Sequence, residues 1–195
     1  MKLILASQSP RRRDLLGQMG LEFTVISPQI DEDAFTDPDP VALVKTLSRE
    51  KALAVAKDRA ADALVIAADT VVVLDGQTLG KPRDRAEAKA MLAALSGRSH
   101  QVCTGVTVCR GDRADTRAEV TQVTFRSLSL EEIRRYADTG EPMDKAGAYG
   151  IQGLGALLVE GIRGDYFNVV GLPVCLLGRM LAGFGVDCLA LAAGG

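Results

Sequence analysis

The chain has 195 residues, 47% of them hydrophobic, enough to bury a sizeable core in one medium domain or two closely packed lobes. Its net charge of −2 and pI near 5.5 exclude a globally basic nucleic-acid binder, yet leave room for a local basic pocket that holds a small polyanion. Aromatics at 4%, with no tryptophan, exclude ring stacking as the main way of holding a base and leave the core to Leu, Val, Ile and Ala.

Lys2 to Ala6 reads as a short buried strand. Ser9-Pro10 then reads as an N-cap with proline at the first helical position, and Leu15, Leu16 and Met19 form the helix's apolar face, with Gly20 as its stop. Glu22 to Ile26 is a second strand, and Ser27 to Asp39 an acidic loop broken by Pro28 and Pro38. Asp39-Pro40 opens a long helix with a buried stripe at Val44, Leu47, Ala54 and Val55. Leu64 to Ala68 is a strongly apolar strand, continued past Asp69 by Thr70 to Leu74, and Asp75-Gly76 is a hairpin signal. Asp84 to Leu95 is a helix whose Asp84-x-x-Glu87 start resembles a capping box. His100 to Cys109 and Arg117 to Phe125 pair as a hairpin through the Gly111-Asp112-Arg113 region. Ser129-x-x-Glu132 is a second capping box, on a helix that stops near Gly140. Glu141 to Gly155 is a glycine-rich loop, Ala156 to Ile162 a strand, Pro173 to Phe184 a closing helix, and Ala192 to Gly195 a frayed tail. The early alternation of strands and helices, followed by antiparallel pairs, predicts an α/β fold: a mixed sheet flanked by helices, a single domain over 1–195 that is bilobed around a central cleft.

The four cysteines (Cys103, Cys109, Cys175 and Cys188) form no Cys-x-x-Cys pair, and His100 is the single histidine. A structural zinc site is not expected, and the thiols read as buried apolar groups in a reducing compartment. The apolar run at the start is too short for a signal peptide, and no run reaches the ~20 apolar residues of a membrane helix, so a cytosolic protein without membrane partners is expected.

Several segments carry side chains suited to chemistry. In Ala6-Ser7-Gln8-Ser9-Pro10-Arg11-Arg12-Arg13 a strand ends and a helix begins with three arginines. Cations there oppose the helix dipole unless an anion is bound, and free N–H groups and guanidinium forks both suit phosphate. Asp69 follows five apolar strand residues, where a carboxylate is costly to bury without a partner. At a strand terminus it could hold a metal or act as a general base. Asp31-Glu32-Asp33, taken alone, reads as a solvated acidic loop. Lys51 falls on the apolar stripe of its helix, four residues from Leu47 and Val55, where a lysine is expected to snorkel to the surface. Lys81 lies in the rigid turn Gly80-Lys81-Pro82. In Asp144 to Gly153 three glycines permit close backbone approach to a ligand, and Gln152 carries both a donor and an acceptor for the edge of an amide-like base.

Together these segments resemble the Maf family of nucleoside triphosphate pyrophosphatases. The resemblance runs from Leu3 to about Phe184 and rests on Ala-Ser-Gln-Ser-Pro-Arg-Arg at 6–12, Ser-Arg-Glu-Lys-Ala at 48–52, Ala-Asp-Thr-Val-Val at 68–72, Gly-Lys-Pro at 80–82, Leu-Ser-Gly at 95–97 and Asp-Lys-Ala-Gly-Ala-Tyr-Gly-Ile-Gln-Gly at 144–153. Six blocks in order make it specific. It implies an inosine triphosphate pyrophosphatase-like (Maf/Ham1) fold and hydrolysis of a nucleoside triphosphate to the monophosphate and pyrophosphate. It places the family's proton acceptor on Asp69 and its specificity positions on Arg11, Thr70 and Gln152, while Ser7, Glu32, Lys51 and Lys81 match further pocket positions. Among the family's subgroups the chain resembles the one acting on dTTP and UTP. The alternatives are the same chemistry on 7-methyl-GTP or a modified purine nucleotide, and a nucleotide-binding regulator of septum formation. The implied cofactor is magnesium or manganese, held by Glu32 and Asp69 together with phosphate oxygens. A homodimer is compatible with the sequence, and a nucleic-acid partner is not expected.

Overall fold

The computed structural model of the protein describes residues 2–60 and 62–193. In chain order its elements are β1 (Leu3–Ala6), α1 (Pro10–Gln18), β2 (Thr24–Ile26), α2 (Pro40–Ala56), β3 (Leu64–Leu74), β4 (Gln77–Leu79), α3 (Arg85–Leu95), β5 (Ser99–Arg110), β6 (Arg113–Phe125), α4 (Leu130–Asp138), β7 (Val159–Arg163), α5 (Tyr166–Val170), α6 (Val174–Gly183) and α7 (Cys188–Ala193), with single 3-10 turns at Glu32–Ala34, Glu141–Asp144, Ala146–Ala148 and Gly153–Leu158. The strands form an open mixed sheet in the order β2-β1-β3-β5-β6-β7, with β4 on β3. β1 runs parallel to both β2 and β3, whereas β3–β4 and β6–β7 are antiparallel. No helix among the described residues is long and apolar enough to cross a membrane.

Local chemistry explains the helix starts. Ser9 caps α1, Asp39 accepts from Val41 N at 2.9 Å to cap α2, and each is followed by proline, whose missing N–H would be unsatisfied there anyway. Ser129 and Glu132 form the complete reciprocal capping box on α4. At α3 only half of the expected box forms. Asp84 accepts from Glu87 N at 2.8 Å, but the Glu87 carboxylate accepts instead from Arg83 N at 2.7 Å and from Arg83 Nε at 2.9 Å. Asp75 and Gly76 both have positive φ, 51° and 78°, as a two-residue hairpin between β3 and β4 requires.

The chain divides into two compact units. The first comprises 1–69, 104–119 and 171–195, the second 70–103 and 120–170. In the first, α2 packs on β1 and β3 through Ile4, Ala6, Ala52, Val55, Val65 and Ala67. Its backbone also lies directly on β5: a Cβ at Gly105 would sit 2.1 Å from the Val44 carbonyl oxygen, so only glycine fits. A hydroxyl chain joins the same two elements, Ser48 to Thr107 at 3.0 Å and Thr107 to Thr116 at 2.9 Å, with Ser48 Oγ also 3.0 Å from the Lys45 carbonyl.

In the second unit, α3 and α4 cover Val72 and Leu74 of β3 together with Val102, Val123 and Phe125. His100 is buried in this core, edge-on to Phe125 and Tyr149 at ring-centroid distances of 5.1 and 5.3 Å. Its Nε2 lies 2.7 Å from the Tyr149 hydroxyl, and its Nδ1 has no hydrogen-bond partner among the described residues. Burial pushes its pKa down from 6.5 to about 4. Between those values the unfolded chain binds a proton that the folded chain refuses, so the stabilisation is complete above pH 6.5 and is lost as pH falls. Urea denaturation should show a loss of about 2 kcal/mol from this group between pH 7 and pH 5. His100→Gln should flatten that dependence; identical pH slopes in parent and variant would refute the assignment.

Several boundaries differ from expectation. Ala156 to Leu158 belong to a 3-10 turn, and strand β7 begins only at Val159. The segment from Glu141 onward is a succession of 3-10 turns rather than an open loop. The short elements β4, α5 and α7 carry too few residues for a hydrophobic period. Helix α7 takes in Ala192 and Ala193 of the expected frayed tail, while Gly194 and Gly195 lie outside the described residues. Cys103 and Cys109 are buried as expected, but Cys175 is exposed and Cys188 half-buried.

Candidate active site

Strand β1 ends at Ala6, which is in register with Ala67 of β3 and Ile26 of β2. The carboxyl ends of parallel strands are where α/β proteins commonly bind ligands. Beyond Ala6 the chain turns sharply: Ser7 is buried and its hydroxyl accepts from Ser9 N at 3.1 Å, while Ser9 Oγ lies 3.5 Å from Arg12 N. Both hydroxyls therefore shape the turn that starts α1.

Arg12 turns inward from that turn, its Nε donating to the Gly171 carbonyl at 2.8 Å. Burial lowers its pKa, Asp69 pulls it back up, the neighbouring Arg11 lowers it, and Glu32 raises it. Arg12 is not among the site residues expected from the sequence. A signal was present, because Arg12 lies three and four residues before Leu15 and Leu16, the buried residues of α1, and so shares their face. Arg11 is half-buried beside it.

Asp69 and Lys51 form the centre of this group. Asp69 has the strand parity of Val65 and Ala67, which face Ala52 and Val55 of α2. One helical position before Ala52, Lys51 points to the same place, and its Nζ lies 2.6 Å from Asp69 Oδ1 and 2.9 Å from Glu32 Oε1. The Lys51 and Asp69 side chains are 8% and 10% exposed, that of Glu32 55%. Two expectations are corrected here. Lys51 does not snorkel, because a buried carboxylate and a half-exposed one satisfy its ammonium inside the fold. Asp69 is not at a strand terminus, because β3 runs unbroken through it to Leu74. Glu32, which reads as part of a solvated acidic loop when its stretch is taken alone and as a pocket position by the family resemblance, sits on a single 3-10 turn and reaches Lys51 while remaining 55% exposed. Among the described residues no group of three or more His, Cys, Asp or Glu side chains gathers as for a metal ion.

Thr70, Lys81 and Gln152 lie in the second unit. Strand alternation puts Thr70 on the face of Val72 and Leu74, opposite that of Asp69. Lys81 is exposed in the turn after β4. That turn is joined to the glycine-rich segment by a hydrogen bond of 3.0 Å from Gly147 N to the Gly80 carbonyl. In the segment Tyr149 is buried against His100, Ile151 is buried, and Gln152 between Ile151 and Gly153 is exposed.

The architecture is that of a Ham1-like α/β protein. The structure is similar to that of the Staphylococcus aureus Ham1 protein, with a TM-score of 0.54, 14% identity, and coverage of 94% of this chain and 99% of that one. Residues 2–184 match the family described as Maf-like protein, and the chain belongs to that family. It is 54% identical over 193 residues to a dTTP/UTP pyrophosphatase of Symbiobacterium thermophilum, covering 99% of both chains, and 56% identical over 189 residues to a dTTP/UTP pyrophosphatase of Moorella thermoacetica, covering 95% of this chain and 96% of that one.

Proposed function

We propose that the protein is a cytosolic nucleoside triphosphate pyrophosphatase that hydrolyses dTTP and UTP to the monophosphate and pyrophosphate. The observation that carries this reading is identity above one half, over nearly the whole chain, to two proteins bearing that name. The group around Lys51 supports it, since it combines cations for phosphate with a carboxylate for proton transfer.

In this mechanism Arg11, Lys51 and Lys81 neutralise the triphosphate, and the polar turn at Ser7 shapes the start of α1 beside it. Asp69, oriented by its 2.6 Å hydrogen bond from Lys51, takes the proton of the attacking water. The water oxygen bonds to the α-phosphorus, the α–β bridging bond breaks, and pyrophosphate leaves. Thr70 and Gln152 contribute to base selection, with Gln152 offering the donor and acceptor that a thymine or uracil edge requires.

The cofactor this reading calls for is a hard divalent cation, which Glu32 and Asp69 would hold together with substrate phosphates. Glu32 and Asp69 bring two carboxylates to one ammonium, and magnesium or manganese is commonly held by one or two carboxylates plus substrate phosphates. When bound, the cation would supply Lewis-acid charge to the phosphate oxygens.

The test is product analysis by the purified protein over a panel of dTTP, UTP, 7-methyl-GTP and dITP. Pyrophosphate and a monophosphate should appear, fastest from dTTP and UTP. EDTA should abolish turnover, and magnesium or manganese should restore it. Release of inorganic phosphate with a diphosphate would overturn the chemistry, and preference for 7-methyl-GTP or dITP would overturn the substrate.

A further inference from the structure

Gln152 is exposed and its side chain makes no capping bond to the 3-10 turn that follows it, so the backbone on either side sets where it is presented. That backbone is held by one carboxylate. Glu141 accepts from Leu154 N at 3.1 Å and from Gly155 N at 3.0 Å, just after Gln152. It also accepts from the Tyr136 hydroxyl at 2.9 Å, and that hydroxyl accepts from Gly150 N at 3.2 Å, just before Gln152. The ends of the excursion touch, since a Cβ at Gly155 would lie 2.1 Å from the Gly150 carbonyl oxygen and 2.7 Å from the Tyr136 hydroxyl. At Gly153, where φ is 72°, a Cβ would come within 3.0 Å of Glu141 Oε2. The loop thus closes tightly on the carboxylate, and hydrogen bonds to an ionised acceptor are the stronger kind.

We propose that Glu141, with Tyr136 as its extension, is a positioning residue for base selection: a carboxylate clamp that grips the chain on both sides of Gln152 and fixes where its amide is presented. The proposal rests on the reading that Gln152 contacts the base. Burial raises the pKa of Glu141, but the hydrogen bonds from Gly155, Leu154 and Tyr136 and the charge of Lys145 outweigh it, and the net shift is downward. Lys145 lies under the same loop, its Nζ donating to the Glu141 carbonyl at 2.6 Å. Tyr136 sits on α4, whose capping box fixes the start of that helix.

The test compares Gln152→Ala, Glu141→Gln, Tyr136→Phe and the double variant Glu141→Gln/Gln152→Ala in the full chain, measuring kcat and KM for dTTP and dCTP together with the melting temperature. Glu141→Gln and Tyr136→Phe should each raise the KM for dTTP about tenfold and narrow the dTTP-over-dCTP preference, with kcat changed less than about threefold. The double variant should be no worse than Gln152→Ala alone, because a clamp has nothing left to position. Tyr136→Phe keeps the carboxylate and its bonds from Leu154 and Gly155, and removes only the hydroxyl that links Glu141 to Gly150, so it reads the same effect even where Glu141→Gln folds poorly. Multiplicative losses in the double variant, or an equal fall in kcat for both nucleotides, would assign Glu141 a purely structural role and overturn the clamp. If Gln152→Ala alone leaves KM and preference unchanged, the base-reading assignment of Gln152 fails and the clamp falls with it.

Discussion

Asp69→Asn should lower dTTP turnover by roughly 100- to 10,000-fold, the usual worth of a positioned general base. Asparagine keeps the size of the side chain and an oxygen that can still accept from Lys51, so β3 and its packing on α2 should survive. Lys51 also retains Glu32 at 2.9 Å. The ammonium therefore keeps a charged partner, and the loss of stability should be modest. Triphosphate affinity should hold or rise, because a repulsive carboxylate has gone while Arg11, Lys51 and Lys81 remain. Two measurements on the one variant decide the matter: steady-state turnover of dTTP, and calorimetric affinity for dTTP with and without magnesium. Turnover within a few-fold of the parent would remove Asp69 from the proposed chemistry.

Lys51→Met should reverse that balance and damage the fold most. Methionine fills much of the lysine's volume but leaves Asp69, only 10% exposed, without its nearest counter-charge. Removing one partner of a buried pair typically costs about 3–5 kcal/mol. For a chain of this size that corresponds to a fall in melting temperature of roughly 6–15 °C. Arg12 is close enough to Asp69 to sense its charge and should moderate the loss. Lys51→Met/Asp69→Asn should therefore recover part of the stability lost in Lys51→Met while remaining inactive. A double variant less stable than Lys51→Met by the full cost of Asp69→Asn would mean that the two side chains are not coupled. Unchanged stability of Lys51→Met would show that the ion pair is dispensable to the fold.

The features legible in the chain are those whose partners lie within a few residues. Ser9-Pro10, Asp39-Pro40, Ser129-x-x-Glu132 and Asp75-Gly76 all behave as read, because capping and hairpin turns are closed by donors two or three positions away. Asp84-x-x-Glu87 behaves only in part, since Arg83 competes for the same carboxylate. Strand β3 was legible from its apolar run, and the mixed α/β class from the order of elements. The ordered sequence blocks led to the family, which the match over residues 2–184 bears out.

What the sequence by itself determined is thus local: where helices start, where the long hairpin turns, and which segments carry carboxylates and cations. The tertiary structure decided which of these charges meet. Lys51 looked like a snorkelling lysine because its helix records only an apolar stripe. Its partners, Glu32 and Asp69, stand 19 and 18 residues away in the chain and reach it only when α2 lies on β1 and β3. Arg12 turns inward because it shares the face of the buried leucines of α1, and its Nε meets the Gly171 carbonyl only once the distant segments are packed together. Glu141 clamps amides 13 and 14 residues further on because successive 3-10 turns fold the chain back onto it. Caps and turns are energetically local, so residue identity is enough to read them. A buried charge chooses its partner only after packing has removed water and brought distant segments together.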